Sequence, residues 1–191
     1  MPLKAADQMT TFKMAVSTIA DRYGLYADFS PMPLPGAPGN GYHINIYAED
    51  RYGNDAVRTA AAGIINRIRE ITLFLNPTEE SYSRLGNNTA PAKVGWSGSV
   101  RSELMYIDTF NGYTRAELRS PDATGNPYLV YALLIYAGLE GIKNNMQLPG
   151  EADDCCGSLP ETRAEAAELA AGSEFVRSVI PDDIVKKYTE G

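Results

Sequence analysis

The sequence predicts an α+β fold built on an antiparallel sheet, and three observations carry that reading. Apolar residues recur at helical spacing in several long stretches, and shorter stretches alternate with the two-residue period of a strand. The two kinds come in groups rather than in strict alternation, which disfavours a parallel doubly wound sheet. At 191 residues the chain is long enough for one domain, residues 1–191, with a substantial core. No internal repeat or interior linker divides it.

Taken in order, Phe12, Val16, Ile19 and Tyr23 predict an amphipathic helix over 8–22. YGLYADFSPMP, 23–33, alternates like a strand until its prolines, and after a Pro/Gly loop YHINIYA, 42–48, predicts another. Val57, Ala61, Ile64, Ile65, Ile68, Ile71 and Leu75 form one stripe of a helix over 55–75. Asn76-Pro77 ends it, because the residue before a proline is biased out of the helical region. A short helix over 78–85 and strands near 92–98, 103–107 and 113–119 follow. Asn126-Pro127 supplies a cap and a first-turn proline for an apolar helix over 127–145. A pair or trio of short helices, over PETRAEAAELAAG, SEFVRSVI and PDDIVKKY, completes the chain.

The net charge of −7 argues against a nucleic-acid backbone as partner, since that needs concentrated Lys and Arg. No apolar run approaches the roughly 20 residues that span a bilayer, and the opening MPLKAADQMTTFK lacks the apolar core of a signal peptide. Cys155 and Cys156 are adjacent, a strained arrangement for a disulfide, and read as thiols in a reducing, cytoplasmic setting.

Two predicted strands concentrate chemistry. In YHINIYA, His43, Asn45 and Tyr47 share one face and Tyr42, Ile44 and Ile46 the other. In YTRAELRS, Arg115, Glu117 and Arg119 share a face opposite Thr114, Ala116 and Leu118. The plainer reading is a solvated sheet face with cross-strand ion pairs, each contributing about 0.2–1 kcal/mol. The sharper one is a site with a metal-capable His43–Glu117 pair beside two guanidinium anion clamps. That pair alone leaves an octahedral Mg²⁺ or Mn²⁺ short of ligands.

Further blocks, PMPLPGAPGNGYHIN at 31–45, NPTEESYSRL at 76–85, WSGSVRS at 96–102, RAELRSPDATGNPYL at 115–129 and AGLEGIKNN at 137–145, stand in order along the chain, and together they resemble the C-terminal catalytic region of glutamine synthetases. PMPLPGAPGNGYHIN stands where the family has a Lys-Pro-rich stretch and then Asn-Gly-Ser-Gly-x-His. NPTEESYSRL, 76–85, matches Asn-Pro-Thr-x-x-Ser-Tyr-x-Arg-Leu at every fixed position. WSGSVRS, 96–102, keeps Trp96, Ser97, Arg101 and Ser102 of the next block. RAELRSPDATGNPYL, 115–129, and AGLEGIKNN, 137–145, complete the series.

The resemblance implies a curved antiparallel sheet backed by helices, and an ATP-dependent ligation of ammonia to glutamate through a γ-glutamyl phosphate. It implies His43 and Glu117 as ligands of Mg²⁺ or Mn²⁺. Arg84 and Arg119 would hold the glutamate carboxylates, with Gly39 offering backbone to its amino group. Arg101 and Arg115 would contact the transferring phosphate and, with Asn45, the nucleotide. Because the family site lies between subunits, it also implies a homo-oligomer or a separate N-terminal partner.

Departures from the pattern accompany these matches. RLGNNTAP, with Thr89 before Ala90-Pro91, is one residue shorter than the family's flap and lacks its Glu. Tyr106 replaces a second phosphate Arg, and Pro38 stands where the family has a glutamate-contacting Asn. A basic residue expected before Arg115 is absent from TFNGY. The family's N-terminal β-domain and most metal carboxylates belong to sequence that precedes these blocks, so the expectation is impaired activity in this chain alone. The alternatives are a non-catalytic module binding a small carboxylate or serving assembly, and a ligase for another amine.

Overall fold

A computed structural model describes residues 1–34, 36–87, 90–152 and 156–191. Thr89 and Cys155, singled out above, lie outside the described residues. Among the described residues, seven helices and four strands run in the order α1 (Pro2–Arg22), β1 (Ile44–Ile46), α2 (Val57–Leu75), α3 (Glu79–Arg84), β2 (Trp96–Ser97), β3 (Met105–Phe110), β4 (Tyr113–Leu118), α4 (Pro127–Lys143), α5 (Arg163–Gly172), α6 (Glu174–Val179) and α7 (Asp182–Thr189).

The sheet order is β1-β4-β3-β2. β4 is central to the site, pairing antiparallel with β1 through Asn45↔Glu117 and with β3 through Tyr106↔Glu117 and Asp108↔Arg115. The β3–β4 hairpin turns at Asn111 and Gly112, both at positive φ (51° and 82°), a conformation Asn and Gly tolerate best. The edge strand β2 pairs parallel to β3 over two residues. The α+β class and the predominantly antiparallel sheet follow the sequence reading.

One face of the sheet is apolar: Ile44, Met105, Ile107, Ala116 and Leu118 are buried against a core shared with the helices. α2 fills that core with Ile64, Ile68, Ile71, Phe74 and Leu75. Its crossing with α4 is set by glycine. A Cβ on Gly63 would lie 2.2 Å from the Ala137 carbonyl, and one on Gly141 would lie 2.2 Å from the Thr59 carbonyl. The backbones approach at a distance only glycine allows. α4 starts as expected, with the Asn126 side chain accepting from Tyr128 N at 3.0 Å and Pro127 in the first turn.

Several boundaries differ from the sequence reading. Residues 23–33 form no strand. Gly24, at φ 67°, ends α1, with its N–H and that of Leu25 donating to the Asp21 and Ala20 carbonyls. Pro31 and Pro33 then remove ladder donors. α1 begins at Pro2 rather than residue 8, proline being well suited to a first turn. The strands predicted at 42–48 and 92–98 shrink to three and two residues, and the one at 103–107 shifts to 105–110. Among the described residues no helix is long and apolar enough to cross a membrane.

Candidate functional site

The polar face of the sheet is built by alternation. With Ala116 and Leu118 turned into the core, Arg115 and Glu117 face the other way, as do their cross-strand neighbours Asn45, Tyr106 and Asp108. Arg119, one step beyond β4, continues that face, and His43 does so before β1.

Glu117 is the hub. Its Oε1 accepts from Arg119 Nη1 at 2.7 Å and lies 3.1 Å from His43 Nδ1, and its Oε2 accepts from Arg101 Nη1 at 3.1 Å. Glu117 and Arg119 are buried, whereas His43 and Arg101 are partly open to solvent. Burial pushes the Glu117 carboxyl up, but Arg101, Arg119 and His43 together outweigh it and hold the pKa below the ordinary carboxylate value. For His43 the balance runs against the cation. Burial, then Arg119, then Arg84 disfavour the imidazolium more than Glu117 favours it, so its pKa lies below 6.5.

Arg84 stands behind this group. It closes α3, is 1% exposed, and donates through Nη2 to Asn76 Oδ1 at 3.1 Å and to the Ser120 carbonyl. Burial pulls its pKa down, with the Asp122 charge opposing. The glycine loop packs directly on it. A Cβ at Gly39 would lie 2.5 Å from Arg84 Cγ and 2.8 Å from the Pro31 carbonyl. A Cβ at Gly41 would lie 3.0 Å from His43 Nε2 and 3.7 Å from Arg84 Nη1. Small residues here let the loop bring His43 and Arg84 to one place.

Of the residues singled out from sequence, the structure gathers His43, Glu117, Arg101 and Arg119 into one network, with Arg84 and Gly39 behind it. Asn45 is exposed beside Glu117 in register. Arg115 lies farther along the face and lines a separate cavity of about 530 Å³ with Tyr47, Asp108, Phe110 and Tyr113. Two contributions were not visible in the sequence. The Tyr106 ring supports Arg101, whose guanidinium carbon lies 4.5 Å from the ring centroid, and Asp108 faces Arg115. Only strand register, which is non-local, places them.

His43 and Glu117 have the donor chemistry for a hard divalent cation. Both are engaged with one another, and Glu117 also serves two guanidiniums. Among the described residues, no group of three or more His, Cys, Asp or Glu could hold an ion. These residues alone do not make a metal site.

A family profile described as glutamine synthetase, catalytic domain, matches residues 1–191. The chain is 33% identical to a glutamine synthetase of Clostridium saccharobutylicum, over 99% of this chain and 49% of that protein. It is 37% identical to one of Methanosarcina mazei, over 97% of this chain and 48% of that protein. A solved structure described as apo GmaS without ligand superposes with a TM-score of 0.82 at 25% identity, covering 99% of this chain and 48% of that one. The chain spans about half the length of these relatives.

Proposed function

The chain belongs to the family of glutamine synthetase catalytic domains, and from that premise we propose that its polar sheet face is the guanidinium-rich part of an ATP-dependent site joining ammonia to glutamate. The observation that carries the reading is the convergence of Arg101, Arg119 and His43 on the Glu117 carboxylate, with Arg84 behind them.

The chemistry needs such an array. The glutamate side-chain carboxylate attacks the terminal phosphorus of ATP and expels ADP, and ammonia then displaces phosphate from the acyl phosphate, losing a proton to leave the amide. Negative charge develops on phosphoryl oxygens in the first step, and fixed guanidinium donors stabilise it without reorganising. Arg101 and Arg115 are assigned to the phosphoryl and nucleotide side, together with Asn45. Arg84 and Arg119 are assigned to the glutamate carboxylates, where the planar fork suits a two-oxygen acceptor. Gly39 is assigned to the amino-group end of glutamate.

His43 and Glu117 would hold a Mg²⁺ or Mn²⁺ only with further donors beside them. The remaining donors are assigned to protein outside these 191 residues, whether a neighbouring copy or an N-terminal portion, in a cytoplasmic assembly. The chain alone is accordingly assigned weak or no turnover. A second reading, a non-catalytic module that binds a small carboxylate or serves assembly, is favoured by one observation: two guanidiniums and an imidazole already occupy Glu117.

ADP release by the purified chain, with ATP, Mg²⁺, glutamate and ammonium, tests the first reading. The expected result is little turnover, with calorimetric heats for ATP or glutamate that weaken in Arg101→Ala. Brisk release dependent on both glutamate and ammonium overturns the impairment. No heat with Mn²⁺, ATP or glutamate overturns the ligand-site reading in favour of assembly alone.

A further inference from the structure

We propose that Glu151, on the segment after α4, is a positioning residue that latches the turn between β2 and Arg101 and so sets where the Arg101 guanidinium stands. The meaning of that position for phosphate rests on the function proposed above. The latch itself rests on geometry.

Asn145, at φ 49°, ends α4, and the chain then crosses back over β2. It is held there at two points by backbone and ring. Ala152 N donates to the Trp96 carbonyl at 3.0 Å, and Trp96 Nε1 donates to the Pro149 carbonyl at 2.8 Å. The Arg58 guanidinium caps the Trp96 ring at 5.0 Å. Between these points Glu151 reaches the turn. Its Oε1 accepts from Gly98 N at 2.7 Å and from Ser97 Oγ at 2.8 Å. Ser97 Oγ in turn accepts from Ser99 N at 3.1 Å and Val100 N at 3.2 Å.

One carboxylate therefore orders three successive amide groups, one directly and two through a hydroxyl. Its bonds are short, as expected when the acceptor is ionised. The Gly98 N–H and then the Ser97 hydroxyl lower the Glu151 pKa and so favour its charged form. Arg101 leaves this turn directly, crosses to Glu117 Oε2 and lies on Tyr106. Glu117 and Tyr106 fix the far end of the side chain, and Glu151 fixes the backbone from which it springs. Glu151 is itself exposed, so its removal opens no cavity in the core.

The test uses the full chain in three forms: native, Glu151→Gln and Glu151→Ala. Amide exchange of Gly98, Ser99 and Val100 and the Arg101 Nε–H resonance are followed by NMR. In Glu151→Ala the three amides are expected to exchange about tenfold faster, with the Arg101 resonance moving toward its solvent-exposed position and far-UV dichroism unchanged. Glu151→Gln, whose amide oxygen still accepts, falls between the two. Unchanged exchange in Glu151→Ala overturns the latch. Faster exchange with an unmoved Arg101 resonance overturns the positioning role. ATP titration of the same proteins is read separately: a native chain that binds no ATP refutes the nucleotide reading and leaves the latch to be judged by the amides.

Discussion

Arg119 donates to Glu117 across 2.7 Å from only two residues away on the same face, and both side chains are buried. Among the described residues Glu117 is the ion-pair partner of this guanidinium, so the carboxylate supports its presence in the interior. Removing one member of a buried pair leaves the other charge uncompensated, at a cost of about 3 kcal/mol or more. Glu117→Ala is therefore expected to lower the urea midpoint by that equivalent. Glu117→Gln, which keeps one acceptor oxygen, should lose about half as much. A loss below about 0.5 kcal/mol in Glu117→Ala, the range of ordinary surface substitutions, would show that Arg119 is solvated in solution.

Two acid windows follow from the same group. The His43 pKa is depressed in the folded chain, with burial the main cause and Arg119 next. The unfolded chain then takes up the imidazole proton first, and stability falls as pH drops from about 6.5 toward the folded value. The Glu117 pKa is also depressed in the folded chain, because Arg101, Arg119 and His43 outweigh desolvation. Its contribution is present above the ordinary carboxylate value and is lost as pH falls through the folded one. Because His43 is the sole histidine, His43→Asn should flatten the upper window of a stability–pH curve and leave the carboxylate window in place. An upper slope unchanged in that variant would assign it to another group.

How much of this was legible in the sequence depends on whether the cause was local. Alternation put His43 with Asn45 and Glu117 with Arg115 and Arg119, because strand side chains change sides at every residue whatever the partner strand does. The stripe of α2 and the Asn126-Pro127 start of α4 were legible for the same reason. Pairing was not. Tyr23 to Pro33 alternates well enough for a strand, but Gly24 turns the chain and the prolines lack donors, and the rest forms no ladder. Tyr106 read as the loss of an arginine. Its support of Arg101 depends on β3 lying beside β4 in one register, which no window of sequence contains.

Gly39 tests whether the glycine loop positions Arg84. Added at the ideal position, a Cβ would sit 2.5 Å from Arg84 Cγ, 2.8 Å from Arg84 Cδ and 2.8 Å from the Pro31 carbonyl. The guanidinium end cannot swing away cheaply, because Arg84 is 1% exposed and bonded to Asn76 and Ser120. Gly39→Ala should cost about 1–3 kcal/mol, the usual range for overpacking, and weaken any glutamate heat seen by calorimetry. A variant with native stability and native heat would show that the loop yields instead.

The α2–α4 crossing gives the sharpest contrast among glycines. At Gly63 and Gly141 the added carbon would meet backbone carbonyl oxygens at 2.2 Å, and backbone in two packed helices cannot rotate aside as a side chain can. The helices would have to separate, loosening Ile64 and Ile68 on one side and Leu133 and Leu134 on the other, all of them buried. Gly63→Ala or Gly141→Ala should therefore cost about 3 kcal/mol, the upper end of overpacking. Gly172, the last residue of α5, has nothing within 4 Å of the same built carbon. There alanine only removes conformational freedom from the unfolded chain, and Gly172→Ala should stabilise by about 0.5 kcal/mol. Thermal melts of the three variants decide the matter: equal shifts at all three positions would show that helix propensity, rather than the closeness of the crossing, sets the cost.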